Sequence, residues 1–177
     1  MCFPGGVIRS TLTAEPFTTA RLDVVPLRVD HAAEMAVVLG DPALHTFIGG
    51  APGTPEALRA RYERLVAGSP DPSVSWCNWV LRVRDAGRPA GTVQATVTGR
   101  DHAEIAWVVG TPWQGRGLAC EAAAGLVGRL RAQGVRTIVA HIHPDHHASA
   151  AVAGSAGLSV TAERQDGEVR WRLITAP

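Results

Sequence analysis

Lysine is absent from this sequence of 177 residues, so all 17 basic side chains are arginine. Without lysine, the chain cannot form a Schiff base through a side-chain amine. It also cannot form a P-loop, whose glycine-rich turn ends in a lysine followed by serine or threonine. The 16 acidic residues reduce the net charge to +1. This balance predicts no nucleic-acid-binding surface, because such surfaces carry clustered positive charge.

Cysteine is also scarce: the sequence contains Cys2, Cys77 and Cys120, and no two of them are spaced as Cys-x-x-Cys. An odd number of widely separated cysteines predicts reduced thiols, which are typical of a cytoplasmic protein. The sequence has no run of about 18 apolar residues, and residues 1–16 contain no long apolar stretch. We therefore expect a cytoplasmic protein that is neither secreted nor embedded in a membrane.

The composition predicts a folded chain, because hydrophobic residues make up 46% of the sequence and charged residues only 19%. At this length, one domain is the simplest interpretation. Residues 1–16 are rich in glycine, proline, serine and threonine, so we expect a flexible N-terminal arm there. A single domain is expected over residues 17–177.

Strand and helix signals follow one another along this domain. Residues 19–28 are predicted to form the first strand, Asp30 to cap a short helix, and Thr54 with Pro55 to start a second helix that ends near Ala67. The further predicted strands are residues 76–84, 89–98, 104–110, 136–142, 160–161 and 168–174; the further helices are residues 118–133 and 145–156; residues 41–55 are predicted as a loop, and Asp166-Gly167 as a hairpin turn.

The strand of residues 104–110, the turn after it and the helix from Leu118 form the most informative stretch. The turn contains Gly115 and Gly117, and Gly134 follows the helix as a C-cap. A turn of this kind exposes unpaired N–H groups at the positive end of a helix dipole, and such groups favour phosphate. The alternative is that the two glycines merely permit a tight connection.

The spacing Gln114-x-x-Gly117-x-Ala119 resembles the Gln/Arg-x-x-Gly-x-Gly/Ala loop with which the GNAT family of N-acetyltransferases binds the pyrophosphate of acetyl-CoA. A dinucleotide-binding turn would instead need a third glycine where Cys120 stands. It would also need an acidic residue about 20 positions further on, and the sequence around Thr137 has none.

The opening of the predicted domain carries a second part of the resemblance. Thr19-x-Arg21-Leu22, followed by Leu27-Arg28, is similar to the ribosomal-protein-alanine acetyltransferase-like (RimJ/RimL-type) branch of that family. The predicted order β-α-α-β-β-β-α-β-α-β-β is also the order of the family, so the resemblance covers about residues 20–175. It implies an α/β (α+β) fold with a mixed, mostly antiparallel central sheet of about six to seven strands and about four helices. A V-shaped splay is expected between the fourth and fifth strands.

The resemblance implies acetyl-CoA as cosubstrate, without a required metal. A bulge near the end of the fourth strand is expected to part it from the fifth strand. The residues that the resemblance assigns to cosubstrate binding are Trp107, Val108, Val109, Gln114, Gly115, Arg116, Gly117, Leu118, Ala119, His146 and Ser149.

Acetyl transfer from a thioester to an amine needs a base for the amine and an acid for the leaving thiolate. Glu104 stands where several relatives carry a glutamate that deprotonates the amine, so the resemblance implies that Glu104 is the base. The alternative is a solvated or salt-bridged glutamate on a strand. Asp101 and His102 are weaker candidates for the same role.

The acid is where this sequence departs from the family. Many relatives have a tyrosine on the last helix, but Ala153 stands at that position and the only tyrosine is Tyr62. Ser149 matches the serine of the family's Asn-x-x-Ser segment, and the resemblance implies that it contacts the thiol or donates the proton. His146 takes the position of the asparagine. Because the tyrosine is missing, a CoA-binding module without catalysis stays open as an alternative function.

A third interpretation comes from His141-x-His143-x-Asp145-His146, which spells the metal-binding signature of the metallo-β-lactamase fold. That fold needs further histidine and aspartate ligands downstream. No histidine follows His147, and only about thirty residues remain. A zinc-dependent hydrolase is therefore the least favoured alternative.

The sequence leaves the acceptor amine open among a protein N-terminus, an amino acid or polyamine, and an amine antibiotic. Homodimers are common in the branch that the chain resembles, but no stretch of this sequence specifies an interface.

Overall fold

The computed structural model describes residues 12–175, which form one eight-stranded sheet and five α-helices. The strands are β1 (Phe17–Thr18), β2 (Leu22–Pro26), β3 (Val74–Val83), β4 (Arg88–Thr98), β5 (His102–Val109), β6 (Thr137–Ile142), β7 (Ser159–Gln165) and β8 (Glu168–Ile174). The helices are α1 (Ala32–Val38), α2 (His45–Ile48), α3 (Pro55–Ala67), α4 (Leu118–Ala132) and α5 (His147–Ser155).

The strand order across the sheet is β1-β2-β3-β4-β5-β6-β8-β7. Every neighbouring pair is antiparallel except β5 and β6, which are parallel. The predicted fold class, a mixed and mostly antiparallel α/β sheet, is confirmed. The structure adds β1 and α2 to the predicted elements, because a two-residue strand and a single helical turn are too short to give a periodic sequence signal.

Successive side chains along a strand point to opposite faces of the sheet, and each face packs into its own hydrophobic core. In β3, Trp79 and Leu81 pack with the apolar stripe of α4 and with α5, whereas Val80 packs with Met35 of α1 and Tyr62 of α3. Helices α4 and α5 therefore cover one face of the sheet, and α1 and α3 cover the other. Each fully buried aliphatic side chain of these cores contributes about 1.5–3 kcal/mol to the free energy of unfolding.

The parallel pair is short. β5 and β6 pair only at His102 with Thr137, Ala103 with Ile138 and Glu104 with Val139. Beyond these pairs, β5 continues to Val109 and β6 to Ile142 without pairing with each other. This is the predicted splay.

The expected bulge is not the cause of the splay. β4 and β5 pair without any shift in register, from Gly91 opposite Val109 to Thr98 opposite His102. The expectation of a bulge near the end of the strand is therefore wrong in the ladder that the structure describes. The splay arises on the other edge of β5, where pairing with β6 stops.

Two predicted helix starts have different outcomes. The hydroxyl of Thr54 accepts a hydrogen bond from the N–H of Ala57, and Pro55 occupies the first turn, so this start is confirmed. Asp30 does not cap α1: it lies inside a short 3-10 turn before the helix and forms an ion pair with Arg28. The cap prediction is wrong because Asp30 lies within the turn that leads into α1, and His31 occupies the N-cap position.

The C-terminal hairpin turns as predicted. Asp166 and Gly167 have φ angles of 51° and 87°, the left-handed pair that a two-residue hairpin turn requires. Strand β7 is longer than the predicted residues 160–161, and α5 is shorter than the predicted residues 145–156 because His146 acts as its N-cap.

Residues 1–11 of the expected N-terminal arm lie outside the described residues. The residues that follow them lie along β3: the N–H of Leu12 donates to the Ser75 hydroxyl, and the indole of Trp79 donates to the carbonyl of Glu15. The expectation of a flexible arm therefore stays a prediction for residues 1–11 alone. None of the helices in residues 12–175 combines the length and apolar character that a bilayer crossing requires.

Candidate functional site

A cleft of about 1210 Å³ opens where β5 and β6 part. One of its walls comes from β5, β6, the turn before α4 and the start of α5. The other wall comes from the connection that contains α2 and from Leu58, Arg61 and Tyr62 of α3. A cleft of this size exceeds the roughly 300–1,000 Å³ of ordinary small-molecule pockets, so it fits a long ligand.

The turn before α4 exposes a set of unpaired backbone N–H groups. Gly115 and Gly117 have φ angles of 71° and 74°, which side chains other than glycine rarely adopt. Across residues 12–175, the backbone N–H groups of residues 115–120 find no acceptor. These N–H groups lie at the N-terminal end of the 15-residue helix α4, whose dipole adds positive potential. The arrangement fits the phosphate groups that the sequence predicts for this turn.

Three side chains hold the turn in place. The amide nitrogen of Gln114 donates to the carbonyl of Val109 at 3.0 Å and so ties the turn to the end of β5. Arg21 donates from Nη1 to the carbonyl of Arg116 at 2.9 Å and from Nε to Glu121 at 2.7 Å. Glu121 belongs to the first helical turn of α4, so Arg21 links the start of the helix to the glycine-containing turn before it.

The carboxylate of Glu121 is charged in these contacts with Thr19 and Arg21. Burial acts to raise the pKa of its carboxyl, but hydrogen bonds from Thr19 and from the N–H and guanidinium of Arg21, with the Arg21 charge, outweigh burial. The pKa therefore lies below its ordinary value of 4.5. No sequence signal connects Arg21 with Glu121, since they are 100 positions apart.

Glu104 lies at the last β5–β6 pair, where the splay begins. Its side chain is 51% exposed and faces the cleft. The buried ring of His141 from β6 places Nδ1 3.2 Å from Oε1 of Glu104. Arg170 of β8, directly opposite His141, donates from Nε to Nε2 of the ring at 3.1 Å. No sequence signal connects this group of three, because Arg170 belongs to no motif and lies 29 positions from His141.

The start of α5 also lines the cleft. Nδ1 of His146 accepts a hydrogen bond from the N–H of Ser149 at 3.0 Å and caps the helix. The Phe47 ring of α2 lies 4.2 Å from the His146 ring, centroid to centroid. The Ser149 hydroxyl is half-buried and has no hydrogen-bond partner among residues 12–175. Ala153, where many relatives have tyrosine, is fully buried.

The only tyrosine of the chain lies in the same cleft, but on α3. The hydroxyl of Tyr62 is buried and has no hydrogen-bond partner in the described part of the chain. Burial raises its pKa to about 12, against a smaller opposing effect of Arg61.

The histidines of the metal-like signature are used in other ways. His141 contacts Arg170 and Glu104, and His146 caps α5. Nδ1 of His143 accepts the N–H of Asp145 at 3.2 Å. Over residues 12–175, no group of three or more histidine, cysteine, aspartate or glutamate side chains could hold a metal ion.

The structure brings almost all the residues predicted for the site to this cleft. Arg116 differs, because its guanidinium lies over the Trp113 ring, 5.2 Å from the centroid, and only its backbone belongs to the turn. The predicted residues that line the cleft are Glu104, Trp107, Val108, Val109, Gln114, Gly115, Gly117, Leu118, Ala119, His146 and Ser149.

Comparison with known proteins gives one family and a set of similar folds. A family model for an acetyltransferase (GNAT) domain matches residues 21–159. No curated protein matches the chain. The fold is similar to that of an acetyltransferase (GNAT family) from Bacillus anthracis, with a TM-score of 0.74 at 16% identity, over 90% of this chain and 98% of that chain.

Two further solved structures contain ligands. RimL, a ribosomal alpha-N-protein acetyltransferase in complex with coenzyme A, has a TM-score of 0.74 at 16% identity, over 90% of this chain and 98% of that chain. AAC(6')-Ib, in complex with paromomycin and acetyl-CoA, has a TM-score of 0.72 at 18% identity, over 87% of this chain and 93% of that chain.

Proposed function

The chain belongs to the GNAT family of acetyltransferases, which use acetyl-CoA, and we propose that it transfers the acetyl group directly to a primary amine held in the same cleft. The acceptor is a peptide N-terminus or a small-molecule amine. Both classes occur among proteins of similar fold, since RimL is a protein acetyltransferase and AAC(6')-Ib was solved with paromomycin.

One observation carries this proposal. The unpaired N–H groups of the turn before α4 and the carboxylate of Glu104 lie on a single cleft, at the place where β5 and β6 part. A phosphate-binding turn alone would fit many ligands. A turn and a carboxylate joined by a gap between two strands fit a phosphate-bearing ligand whose reactive end lies beside a base.

The N–H groups of residues 115–120 and the dipole of α4 would hold the phosphates of acetyl-CoA. Trp107, Val108 and Val109 would lie along its extended arm, because this part of β5 has no strand partner on the side of β6. His146 would contact it from the start of α5. When bound, acetyl-CoA supplies an acetyl thioester.

Glu104 and Ser149 would carry the proton transfers. An ammonium group must lose a proton before it can attack, and Glu104 would accept that proton directly or through one water. The Ser149 hydroxyl would serve the thiol end of the cleft, where Ala153 offers no donor. Acetyl transfer by positioning and a base continues without a strong acid, although more slowly.

We further propose that the reaction takes place in the cytoplasm, where Cys77 and Cys120 would stay reduced. A homodimer, common in the branch that the sequence resembles, is tested by light scattering over a range of protein concentrations.

The first test is calorimetric titration of the protein with acetyl-CoA and with CoA. We expect binding that is lost in Gly117→Val, because valine is strained at a φ of 74°. Gly128→Ala is the matched control, since a methyl group there meets nothing within 4 Å. No binding to the unsubstituted protein would contradict the proposal.

The second test is release of CoA with a panel of peptides and small amines. With an accepted amine, Glu104→Gln should lower kcat by about 10²–10⁴-fold, the usual contribution of a general base, and leave acetyl-CoA binding unchanged. An unchanged kcat would remove Glu104 from the mechanism.

A further inference from the structure

Arg170 determines which nitrogen of His141 carries the proton. A guanidinium can only donate, so Nε2 of His141 must be the acceptor at the 3.1 Å contact with Nε of Arg170. The imidazole is then neutral, with its proton on Nδ1. A proton on Nε2 would put two donors face to face.

The guanidinium cannot turn away from this contact without losing others. Its Nη1 donates to Oε2 of Glu163 at 2.6 Å, and its Nη2 donates to Oε1 of Gln165 at 3.3 Å. Glu163 also accepts from Arg172 at 3.2 Å. Two side chains of β7 therefore hold Arg170 so that its Nε–H faces His141.

The other ring nitrogen of His141, Nδ1, faces Glu104 in the cleft. The His141 side chain is only 6% exposed, and Nδ1 lies 3.2 Å from Oε1 of Glu104. The N–H is out of line for a hydrogen bond, so Nδ1 has no partner among residues 12–175. A buried donor without an acceptor is unfavourable. Glu104 is half exposed and can rotate toward this donor, whereas the ring is fixed by Arg170.

We infer that His141 is a positioning residue for Glu104: its Nδ1–H, held in place through Arg170, orients the carboxylate that takes the proton of the amine. This inference rests on the proposed function, in which Glu104 is the base. His141 itself does not take the proton, because its one basic nitrogen is already occupied by a cation.

Nitrogen NMR of ¹⁵N-histidine-labelled protein tests the tautomer without any activity. At neutral pH we expect the His141 ring, assigned by the signals lost in His141→Asn, to be neutral with its proton on Nδ1. In Arg170→Met the ring should lose this single tautomer. Arg164 is an exposed arginine of β7 that donates to the carbonyl of Gly167, so Arg164→Gln should preserve the tautomer. A wild-type ring protonated on Nε2, or on both nitrogens, overturns the inference.

Kinetics test the positioning role. His141→Phe should lower kcat by about 10- to 100-fold and leave the KM for acetyl-CoA unchanged. His141→Asn should recover much of kcat, because its amide N–H lies near the place of Nδ1. In a Glu104→Gln background, His141→Phe should have no further effect, because the carboxylate that it orients is gone.

An equal loss of kcat in both backgrounds, or none in either, overturns the positioning role even when wild-type turnover depends on Glu104. Failure of the proposed function looks different: the wild-type protein then shows no acetyl-CoA binding, or its kcat does not respond to Glu104→Gln.

Discussion

The carboxylate of Glu121 helps to hold the turn before α4 in place, because it binds Arg21, which also binds the carbonyl of Arg116. Glu121→Gln keeps the shape of the side chain but removes the charge that Thr19 and Arg21 surround. We expect the free energy of unfolding to fall by about 1–2 kcal/mol and acetyl-CoA to bind more weakly. Urea denaturation and calorimetry measure the two effects. Glu63→Gln, an exposed position on α3, is the control and should change neither.

The same substitution has a defined pH dependence. The pKa of Glu121 is lower in the folded chain than its ordinary value of 4.5, so its stabilising effect is present above that value and lost as the pH falls through the folded pKa. The stability difference between wild type and Glu121→Gln should therefore shrink in acid. A difference that stays constant down to about pH 2 would contradict this account.

The buried hydroxyl of Tyr62 should make the folded chain less stable in alkali. Its pKa rises from 10.0 to about 12 on burial, so the folded state resists ionisation and loses stability as the pH rises from 10.0 toward 12. Burial of Cys77 acts in the same direction, raising that pKa from 9.0 to about 11. Tyr62→Phe should make urea midpoints fall less steeply above pH 10.0, without lowering stability at neutral pH, because the hydroxyl has no partner to lose. An identical alkaline slope would show that Tyr62 ionises equally readily in the folded and the unfolded chain, so that burial does not raise its pKa.

At the scale of elements, the close approach of β4 and β5 depends on Gly91. A methyl group at Gly91 would lie 2.1 Å from the carbonyl oxygen of Val108, so Gly91→Ala must displace the end of β5. We expect a loss of about 1–3 kcal/mol in stability, as for other overpacked sites, and weaker acetyl-CoA binding. Gly128→Ala in α4 should instead stabilise by about 0.5–1 kcal/mol. Equal effects of the two substitutions on cosubstrate binding would contradict this role of β5.

The sequence predicted those elements whose signals are local. Strand β5, the two-glycine turn and α4 are adjacent in the chain, and their periodicity and glycines suffice to place them. Thr54 with Pro55 marked α3 for the same reason. Helix α2 gives no sequence signal, because four residues are too few to show a period. The bulge that the family resemblance implies is absent from the β4–β5 ladder, and the sequence of one strand does not reveal how far it pairs with another.

Only those residues of the candidate site that belong to the family's sequence motifs could be predicted. The turn and Glu104 followed from the family resemblance, but Arg21 and Arg170 could not, since each acts on a residue that only the folded sheet brings near. The spacing of His141, His143 and His146 permits a metal site, but spacing does not reveal which ring nitrogens are already hydrogen-bonded.

At the scale of the whole molecule, acetyl-CoA should stabilise the fold, because its proposed site is absent from the unfolded chain. At a concentration of about 100 times Kd, the gain is roughly 2.7 kcal/mol. Thermal unfolding with and without acetyl-CoA measures it, and Gly117→Val should lose the effect. A gain that survives Gly117→Val would place the ligand elsewhere.

The short pairing between β5 and β6 has a mechanical consequence. The sheet consists of two plates, β1–β5 and β6–β8, which meet along a seam of three residue pairs. The backbone amides of β5 and β6 that face the open end have no partner strand on that side, so they should exchange with solvent faster than the paired amides. A ligand wedged into the open end of the seam touches both plates at once. It would therefore join the two strands at their open end, and amide exchange should slow in both together.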